Sequence, residues 1–328
     1  MNETVEIVRL GHAGDGVTVE GAFVPYTVPG DVVRIERAGT RIRIEEIVHP
    51  GPWRTPPPCR HFGVCGGCAL QMIAREPYLA WKRDLVVTAL KQRGFQDPPV
   101  EDIRSVPPGT RRRAMFKARR MGSDVQLGFY EPESRNLVDL AECPILLPSL
   151  ARLIAPLRAR LGGFLESGET AELHTTATDT GIDLSLKLKG QRSPDLLMAF
   201  SELAFALKLA RLSWNGETVA VAATPSLRIG KFVLALPIES FLQPTGEGEC
   251  ILQELVCEAA GSAKFIADLF SGCGTFALSL ASAHRVHAVD NMAAQLDALS
   301  AASRADGAKM TVENRDPTKR HTHGIGGA

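Results

Sequence analysis

The sequence lacks any apolar run of the roughly 18 residues that a membrane-spanning helix needs. Its N-terminus also lacks a signal-peptide pattern, so we expect a cytoplasmic protein with no membrane partner. A net charge is absent too, because 37 Lys and Arg residues balance 37 Asp and Glu residues. Overall charge therefore gives no indication of a nucleic-acid partner. With 328 residues, 45% of them hydrophobic, the chain is long enough for two or three domains.

Positive charge is concentrated in one stretch despite this balance. Residues 103–123 include seven basic side chains and no acidic one. A strand over residues 109–117 would present guanidinium groups to phosphates. A solvated charged face is the alternative, but the missing acids favour RNA contact. The residues that we predict to bind RNA are Arg111, Arg112, Arg113 and Lys117.

Cysteine is informative by its spacing. Three cysteines follow a Cys-x5-Cys-x2-Cys pattern, and a fourth precedes Pro144; they are Cys59, Cys65, Cys68 and Cys143. Four thiolates that converge are the ligand set of a 4Fe–4S cluster or of structural zinc, and the spacing alone leaves both open. Ordinary buried thiols are the third interpretation. In a reducing compartment, clustered cysteines favour a metal over a disulfide.

The N-terminal residues predict a small β-module. Alternation over Thr4–Leu10, Val32–Ile35 and Arg41–Ile44 is typical of short strands, with a turn around Gly39. Such strands suggest a closed barrel, and the segment resembles the OB-like TRAM module of RNA-modifying enzymes. Further on, the chain predicts a helix over 76–94, a helix from Pro194 to about residue 212, and a hairpin at residues 215–216.

A second motif lies in the last third of the chain. Phe265–Phe270 reads as a strand, Ser271-Gly-Cys-Gly-Thr275 as a glycine-rich turn, and the next strand ends in Asp290. A βαβ start of this kind lets a ligand approach the backbone, while the acid can accept from ribose hydroxyls. The spacing differs from Gly-x-Gly-x-x-Gly and resembles motif I of S-adenosylmethionine (SAM) methyltransferases.

Taken together, these motifs resemble the TRAM-containing class I RNA uracil-C5 methyltransferase family, which makes 5-methyluridine in rRNA and tRNA. The match includes the barrel, the four cysteines, Phe241-Leu-Gln243-Pro and the glycine-rich turn. It implies that the cysteines hold a 4Fe–4S cluster and that the cofactor is S-adenosyl-L-methionine. The residues implied in SAM binding are Gln243, Phe270, Gly272, Gly274, Thr275, Asp290 and Asn314.

The resemblance also implies a mechanism that these 328 residues do not complete. In the family a Ser-Cys-Asn-Pro cysteine adds to uracil C6, which makes C5 nucleophilic, and a glutamate removes the C5 proton. No Ser-Cys-Asn-Pro is present, and residues 317–328 carry no apolar periodicity. We therefore expect a truncated, inactive chain with no catalytic residue of its own. A non-catalytic RNA-binding iron–sulfur protein is the alternative; a radical-SAM methylthiotransferase would need Cys-x3-Cys-x2-Cys.

The expected architecture is an α/β multidomain protein that acts as a monomer. Residues 1–52 would form the TRAM-like barrel, 53–238 a central α+β domain with the iron–sulfur site, and 239–328 an incomplete Rossmann-like domain. The expected partner is RNA, ribosomal in preference to transfer RNA.

Overall fold

Alternating apolar and polar side chains build most strands of the computed structural model, which describes residues 2–38 and 41–318. The strands are β1 (Asn2–Leu10), β2 (Gly16–Thr18), β3 (Phe23–Val24), β4 (Val32–Ala38), β5 (Arg41–His49), β6 (Arg113–Met121), β7 (Asp124–Tyr130), β8 (Leu137–Asp139), β9 (Thr170–Thr178), β10 (Gly181–Lys187), β11 (Leu209–Trp214), β12 (Glu217–Val221), β13 (Ser226–Ile229), β14 (Phe232–Ala235), β15 (Phe265–Leu269), β16 (Arg285–Asp290) and β17 (Met310–Asn314). The helices are α1 (Arg75–Gln92), α2 (Pro148–Ala151), α3 (Ile154–Leu161), α4 (Pro194–Ala206), α5 (Gly246–Ala260), α6 (Ala277–Leu280) and α7 (Ala293–Ala305), with a 3-10 turn at Gly162–Phe164.

The chain divides into two compact units. The first comprises Met1–Ser105 and Phe129–Glu142, and the second comprises Val106–Gly128 and Cys143–Ala328. The division into three domains expected from the sequence stays a prediction. Within the described part of the chain, no helix is long and apolar enough to cross a membrane.

The first unit contains the N-terminal β-module. Five antiparallel strands follow the order β3-β2-β1-β4-β5, and Ile7, Val24, Val33 and Ile35 form their buried core. Register shifts in the β1–β2 and β4–β5 pairs mark bulges, which bend a sheet and increase its twist. The strands agree with the predicted ones; the predicted turn at Gly39 lies outside the described residues.

Helix α1 packs its apolar side chains beside this sheet. Trp81 is 9% exposed and joins Leu10, Val28, Met72 and Ile73 in a second core cluster. The predicted helix over 76–94 is confirmed within two residues at each end.

The second unit contains most of a seven-stranded sheet, in which its strands follow the order β12-β11-β10-β9-β6-β7. One face is apolar, as in β6, where Ala114, Phe116 and Ala118 are buried. The opposite face carries ionisable and hydroxyl side chains across β6, β9, β10 and β11; we call it the polar sheet face. Its members are Arg113, Lys117, Glu172, His174, Asp183, Ser185, Lys187, Arg211 and Ser213.

Helix α4 is shorter than the sequence predicts. Ser193 caps it by accepting from the Leu196 N–H at 3.2 Å, as expected. It ends at Ala206, not near residue 212, because Lys208 adopts a φ of 52° and residues 209–214 form the fully buried strand β11. Burial on a central strand thus overrides helix propensity. The Asn215–Gly216 hairpin is confirmed.

The C-terminal part of the second unit is a parallel sheet in the order β15-β16-β17. Its core includes Phe232 from the β13–β14 hairpin together with Leu278, Val286, Leu296 and Leu299. Parallel strands joined through α6 and α7 are typical of a Rossmann-like fold.

Asp31 stabilises the first unit through a buried network. Its carboxylate accepts from the N–H groups of Val28 at 2.7 Å and Gly51 at 2.8 Å, and from Arg54 Nε at 2.9 Å. Burial acts to raise the pKa of Asp31, but these hydrogen bonds outweigh it and lower the pKa. The carboxylate therefore contributes stability above about pH 4, and this contribution is lost as the pH falls through the lowered pKa.

We predict that Asp31→Asn lowers the free energy of unfolding at pH 7 by about 3 kcal/mol, because Arg54 loses its buried partner. The loss should shrink below pH 4, measured by urea unfolding at several pH values. Glu36→Gln, at an exposed position of β4, is the matched control and should change little. A loss for Asp31→Asn that is the same at pH 3 and pH 7 would contradict the assignment.

Candidate functional site

A glycine-containing turn connects β15 to α6 at the carboxyl end of the parallel sheet. Phe270, Gly272 and Gly274 have φ values of 63°, 54° and 93°, a region that glycine enters without steric penalty. A Cβ on Gly274 would lie 2.4 Å from Leu299 Cδ1. Glycine is therefore required at 274 both by backbone conformation and by the close approach of α7. The predicted turn is formed.

Asp290 ends β16 directly beside this turn. Its Oδ2 accepts from the Gly272 N–H at 2.9 Å, and its Oδ1 accepts from the Met292 N–H at 2.9 Å. The residue is 7% exposed. Strand register pairs Asp290 with Asn314 at the end of β17. The structure thus brings the turn, Asp290 and Asn314 to the same end of the sheet, where ligands bind in open α/β folds.

A second carboxylate, Asp268 on β15, lies at the same place. Burial raises the pKa of Asp268 to about 6; a hydrogen bond from the Ala277 N–H opposes this, and the nearby Asp290 adds to the rise. Its Oδ2 and the Ser271 Oγ are buried without hydrogen-bond partners. Orphaned buried acceptors are costly unless a ligand satisfies them. Sequence reasoning missed Asp268, although its position four residues before the first turn glycine was a usable signal.

SAM fits these orphaned groups chemically. Its ammonium and sulfonium groups are cationic, and two neighbouring carboxylates lower their mutual repulsion by accepting a cation between them. The unpartnered oxygens of Asp268 and Ser271 are the observation that supports this fit.

Gln243 lies in the segment 236–245 that leads from β14 into α5; we call it the anchored segment. Ser240, within it, lies near the Cys273 thiol of the glycine turn, and its hydroxyl donates to the Pro237 carbonyl at 3.0 Å. Burial raises the pKa of that thiol, and Cys273 is part of the hydrophobic core, which agrees with a packing role. Gln253 of α5 donates through Nε2 to the Thr275 carbonyl at 3.0 Å. The anchored segment and α5 therefore both contact the turn.

The four predicted RNA-binding residues differ in their surroundings. Arg112 is 7% exposed, and its guanidinium pairs with Glu249 at 2.7 Å. Arg113 lies over the Phe241 ring at 4.6 Å from its centroid, and Lys117 pairs with Glu172. Arg111 is partly exposed and donates to the Arg113 carbonyl at 3.2 Å. The structure thus places Arg112 inside the second unit, not on its surface.

The four cysteines are reduced thiols that are not joined in disulfides. Burial raises the pKa of Cys65, and the neighbouring Cys68 and Cys59 add to the rise, so these three thiols lie close enough to interact in the first unit. Cys143 begins a segment of the second unit. Among the described residues, no group of three or more His, Cys, Asp or Glu side chains is placed to hold a metal ion. The predicted metal site is therefore not confirmed, although thiols suit iron or zinc once deprotonated.

Comparison with known proteins gives consistent relatives. An uncharacterized RNA methyltransferase of Brucella suis is 39% identical over 322 residues, which is 96% of this chain and 77% of the relative. One of Caulobacter vibrioides is 39% identical over 331 residues, 97% of this chain and 80% of the relative. The 23S rRNA (uracil(1939)-C(5))-methyltransferase RlmD of Halomonas elongata is 30% identical over 341 residues, which is 94% of this chain and 70% of the relative. No protein-family model matches the chain.

Among solved structures, the chain is similar to a Pyrococcus abyssi tRNA (uracil-54, C5)-methyltransferase in complex with S-adenosyl-L-homocysteine. The TM-score is 0.71, with 94% of this chain and 79% of that chain covered. At 19% identity this likeness concerns the fold.

The raised pKa of Asp268 predicts a stabilising substitution. The folded protein holds this proton more tightly than the unfolded chain, so wild-type stability falls as the pH rises from about 4 to about 6. The shift from 3.8 to about 6 corresponds to at most about 3 kcal/mol, and solvent screening reduces it to about 1 kcal/mol. Asp268→Asn should therefore unfold at a higher temperature than wild type at pH 7.5 and at an equal one at pH 4.

Scanning calorimetry at both pH values measures this difference. Asp297→Asn, at an exposed position of α7, is the control. If Asp268→Asn is less stable than wild type at pH 7.5, the raised pKa is wrong.

Proposed function

Because this chain belongs to the class I RNA uracil-C5 methyltransferase family, we propose that its glycine turn binds SAM for methylation of uridine C5 in RNA. The observation that carries the proposal is the turn itself, where Asp268 and Ser271 present unpartnered buried oxygens beside Asp290. SAM supplies an electrophilic methyl group when bound. Ribosomal RNA is the proposed substrate, in keeping with the Halomonas elongata relative.

The proposed SAM contacts divide between backbone and side chains. Phe270, Gly272, Gly274 and Thr275 would bring turn backbone to the methionine and ribose. Asp290 and Asn314, which strand register pairs at the same end of the sheet, would bind the ribose and the adenine. Gln243 would approach from the anchored segment, in which Ser240 lies near the Cys273 thiol of the turn. Asp268 would balance the positive charge of the cofactor.

RNA binding is proposed for two surfaces, each considered within its own unit. In the first unit, the five-stranded antiparallel sheet would be the TRAM-like barrel expected from the sequence. In the second unit, Arg111, Arg113 and Lys117 are the partly exposed members of the predicted basic set. Arg113 together with the Phe241 ring, which is 61% exposed, offers a planar surface of the kind that stacks on nucleobases.

We also propose that Cys59, Cys65, Cys68 and Cys143 hold a 4Fe–4S cluster with a structural role. Support comes from the four-thiol donor set and from the tight path of the loop. A Cβ on Gly66 would lie 2.7 Å from the Tyr130 carbonyl oxygen, so glycine is needed beside Cys65. The three-domain division and a monomeric state are retained as part of the same proposal.

Methyl transfer to RNA tests the function. We expect radioactive SAM to bind the purified chain, and Asp290→Ala to weaken that binding about tenfold or more through loss of charge-assisted hydrogen bonds. Asp297→Ala is the matched control. Transfer is then assayed on 23S rRNA and tRNA transcripts, with the methylated nucleoside identified by mass spectrometry. This assay also tests the prediction that these 328 residues show no turnover. Methylation at an atom other than uridine C5 would contradict the proposal.

Iron content tests the cluster separately. Chain purified without oxygen should contain about four irons per molecule and show visible absorption that bleaches on reduction. Cys65→Ser should lose both, whereas Cys250→Ser, at an exposed cysteine outside the set, should keep both. Zinc in place of iron, or no metal in wild type, would overturn the cluster proposal without affecting the SAM site.

A further inference from the structure

The side chain of Arg112 lies at the junction between the anchored segment and α5. Its Nε donates to the Gln243 carbonyl at 3.1 Å, and a terminal nitrogen donates to Glu249 Oε2 at 2.7 Å. Its backbone N–H donates to the Pro244 carbonyl at 2.8 Å. Arg112 and Glu249 are 7% and 5% exposed. The buried Arg112 guanidinium thus connects Gln243, which is proposed to contact SAM, with the first turn of α5.

The first turn of α5 has low intrinsic helix propensity, so contacts from outside the helix must hold it in place. Its first turn contains Gly246 and Gly248, and each glycine is about 1 kcal/mol less favourable in a helix than alanine. Thr245 caps the helix by accepting from the Gly248 N–H at 3.0 Å. A Cβ on Gly248 would lie 2.7 Å from the Thr245 hydroxyl oxygen, so the cap itself excludes a better helix former. The position of the first turn of α5 is therefore fixed by the Thr245 cap and by the Arg112–Glu249 ion pair.

The rest of the anchored segment is held by the polar sheet face. Arg211 donates to the Leu236 carbonyl at 3.0 Å while pairing with Asp183. Glu239, at a strained φ of 56°, accepts from Ser185 at 2.8 Å and from Lys187 at 2.6 Å. A positive φ at a non-glycine residue persists only where its surroundings hold it. The segment is therefore fixed along its length, and Arg112 fixes the part nearest Gln243.

We propose that Arg112 is a positioning residue that sets the place of Gln243 at the SAM site through its bond to the Gln243 carbonyl and its pair with Glu249. This inference rests on the proposed function, because Gln243 matters only if SAM binds at the turn. It assigns Arg112 to the cofactor site and removes it from the RNA-binding set. A guanidinium is suited to this role because its separate N–H groups reach a carbonyl and a carboxylate at once.

The test compares three variants with wild type. Arg112→Met with Glu249→Gln removes both charges together, so that no unpaired buried charge unfolds the protein. Arg112→Lys keeps the ion pair, but its compact ammonium cannot reproduce the planar fork. Arg54→Met with Asp31→Asn is the control. Arg54, in the first unit, also donates to a carboxylate, that of Asp31, and to a backbone carbonyl, that of Tyr26 at 2.9 Å.

S-adenosylhomocysteine affinity, RNA affinity at fixed salt, thermal stability and backbone hydrogen exchange are measured for each protein. The Arg112–Glu249 double variant should bind S-adenosylhomocysteine about tenfold more weakly and exchange the amides of residues 242–248 faster, with RNA affinity unchanged. Arg112→Lys should lie between it and wild type. The Arg54–Asp31 control should lose stability while its S-adenosylhomocysteine affinity stays within about twofold of wild type.

The proposal is overturned if the double variant binds S-adenosylhomocysteine as wild type does, or if its amides exchange at the wild-type rate. A loss of RNA affinity without a loss of cofactor affinity would likewise return Arg112 to the RNA-binding set. Failure of wild type to bind S-adenosylhomocysteine would refute the proposed SAM site instead. Hydrogen exchange would still decide whether Arg112 fixes the segment.

Discussion

Charged side chains buried in the second unit determine where the segment before α5 lies. Arginine and carboxylate side chains cannot remain unpaired in such a place without a penalty of several kcal/mol. Asp183 and Arg211 pair with each other, and the remaining donors of Arg211 and Arg112 take backbone carbonyls at the two ends of the anchored segment. The requirement to satisfy these groups thus gives an irregular segment a fixed path.

Buried polar groups are also found at the glycine turn. There the buried groups are not all satisfied within the described residues, since Asp268 Oδ2 and Ser271 Oγ lack partners. Stability at this end of the sheet is reduced because burial, and to a smaller extent the neighbouring Asp290, disfavours the charged form of Asp268. Such a cost is typical of binding sites, where a ligand supplies the missing charge or donor. Replacing a carboxylate at such a cation-binding site by a neutral side chain therefore stabilises the protein in the absence of its ligand.

Local sequence features allowed much of this to be predicted. The glycine turn, Asp290 and the helix cap at Ser193 depend on residues close together in the chain, so their patterns could be interpreted directly. The end of α4 could not, because a buried strand position at Leu209 outweighs the helix propensity of the segment. The surroundings of Arg112 could not either, since its partner Glu249 is 137 residues away. A run of arginines looks the same in sequence whether its members face solvent or a distant carboxylate.

A crystal structure of the chain with S-adenosylhomocysteine is the most direct test of the central claim, that the turn and the anchored segment form one binding site. We expect ligand density against residues 270–275, with Asp290 and Gln243 within hydrogen-bond distance of it. Density elsewhere on the chain, or density at the turn with Gln243 directed away from the ligand, would contradict it.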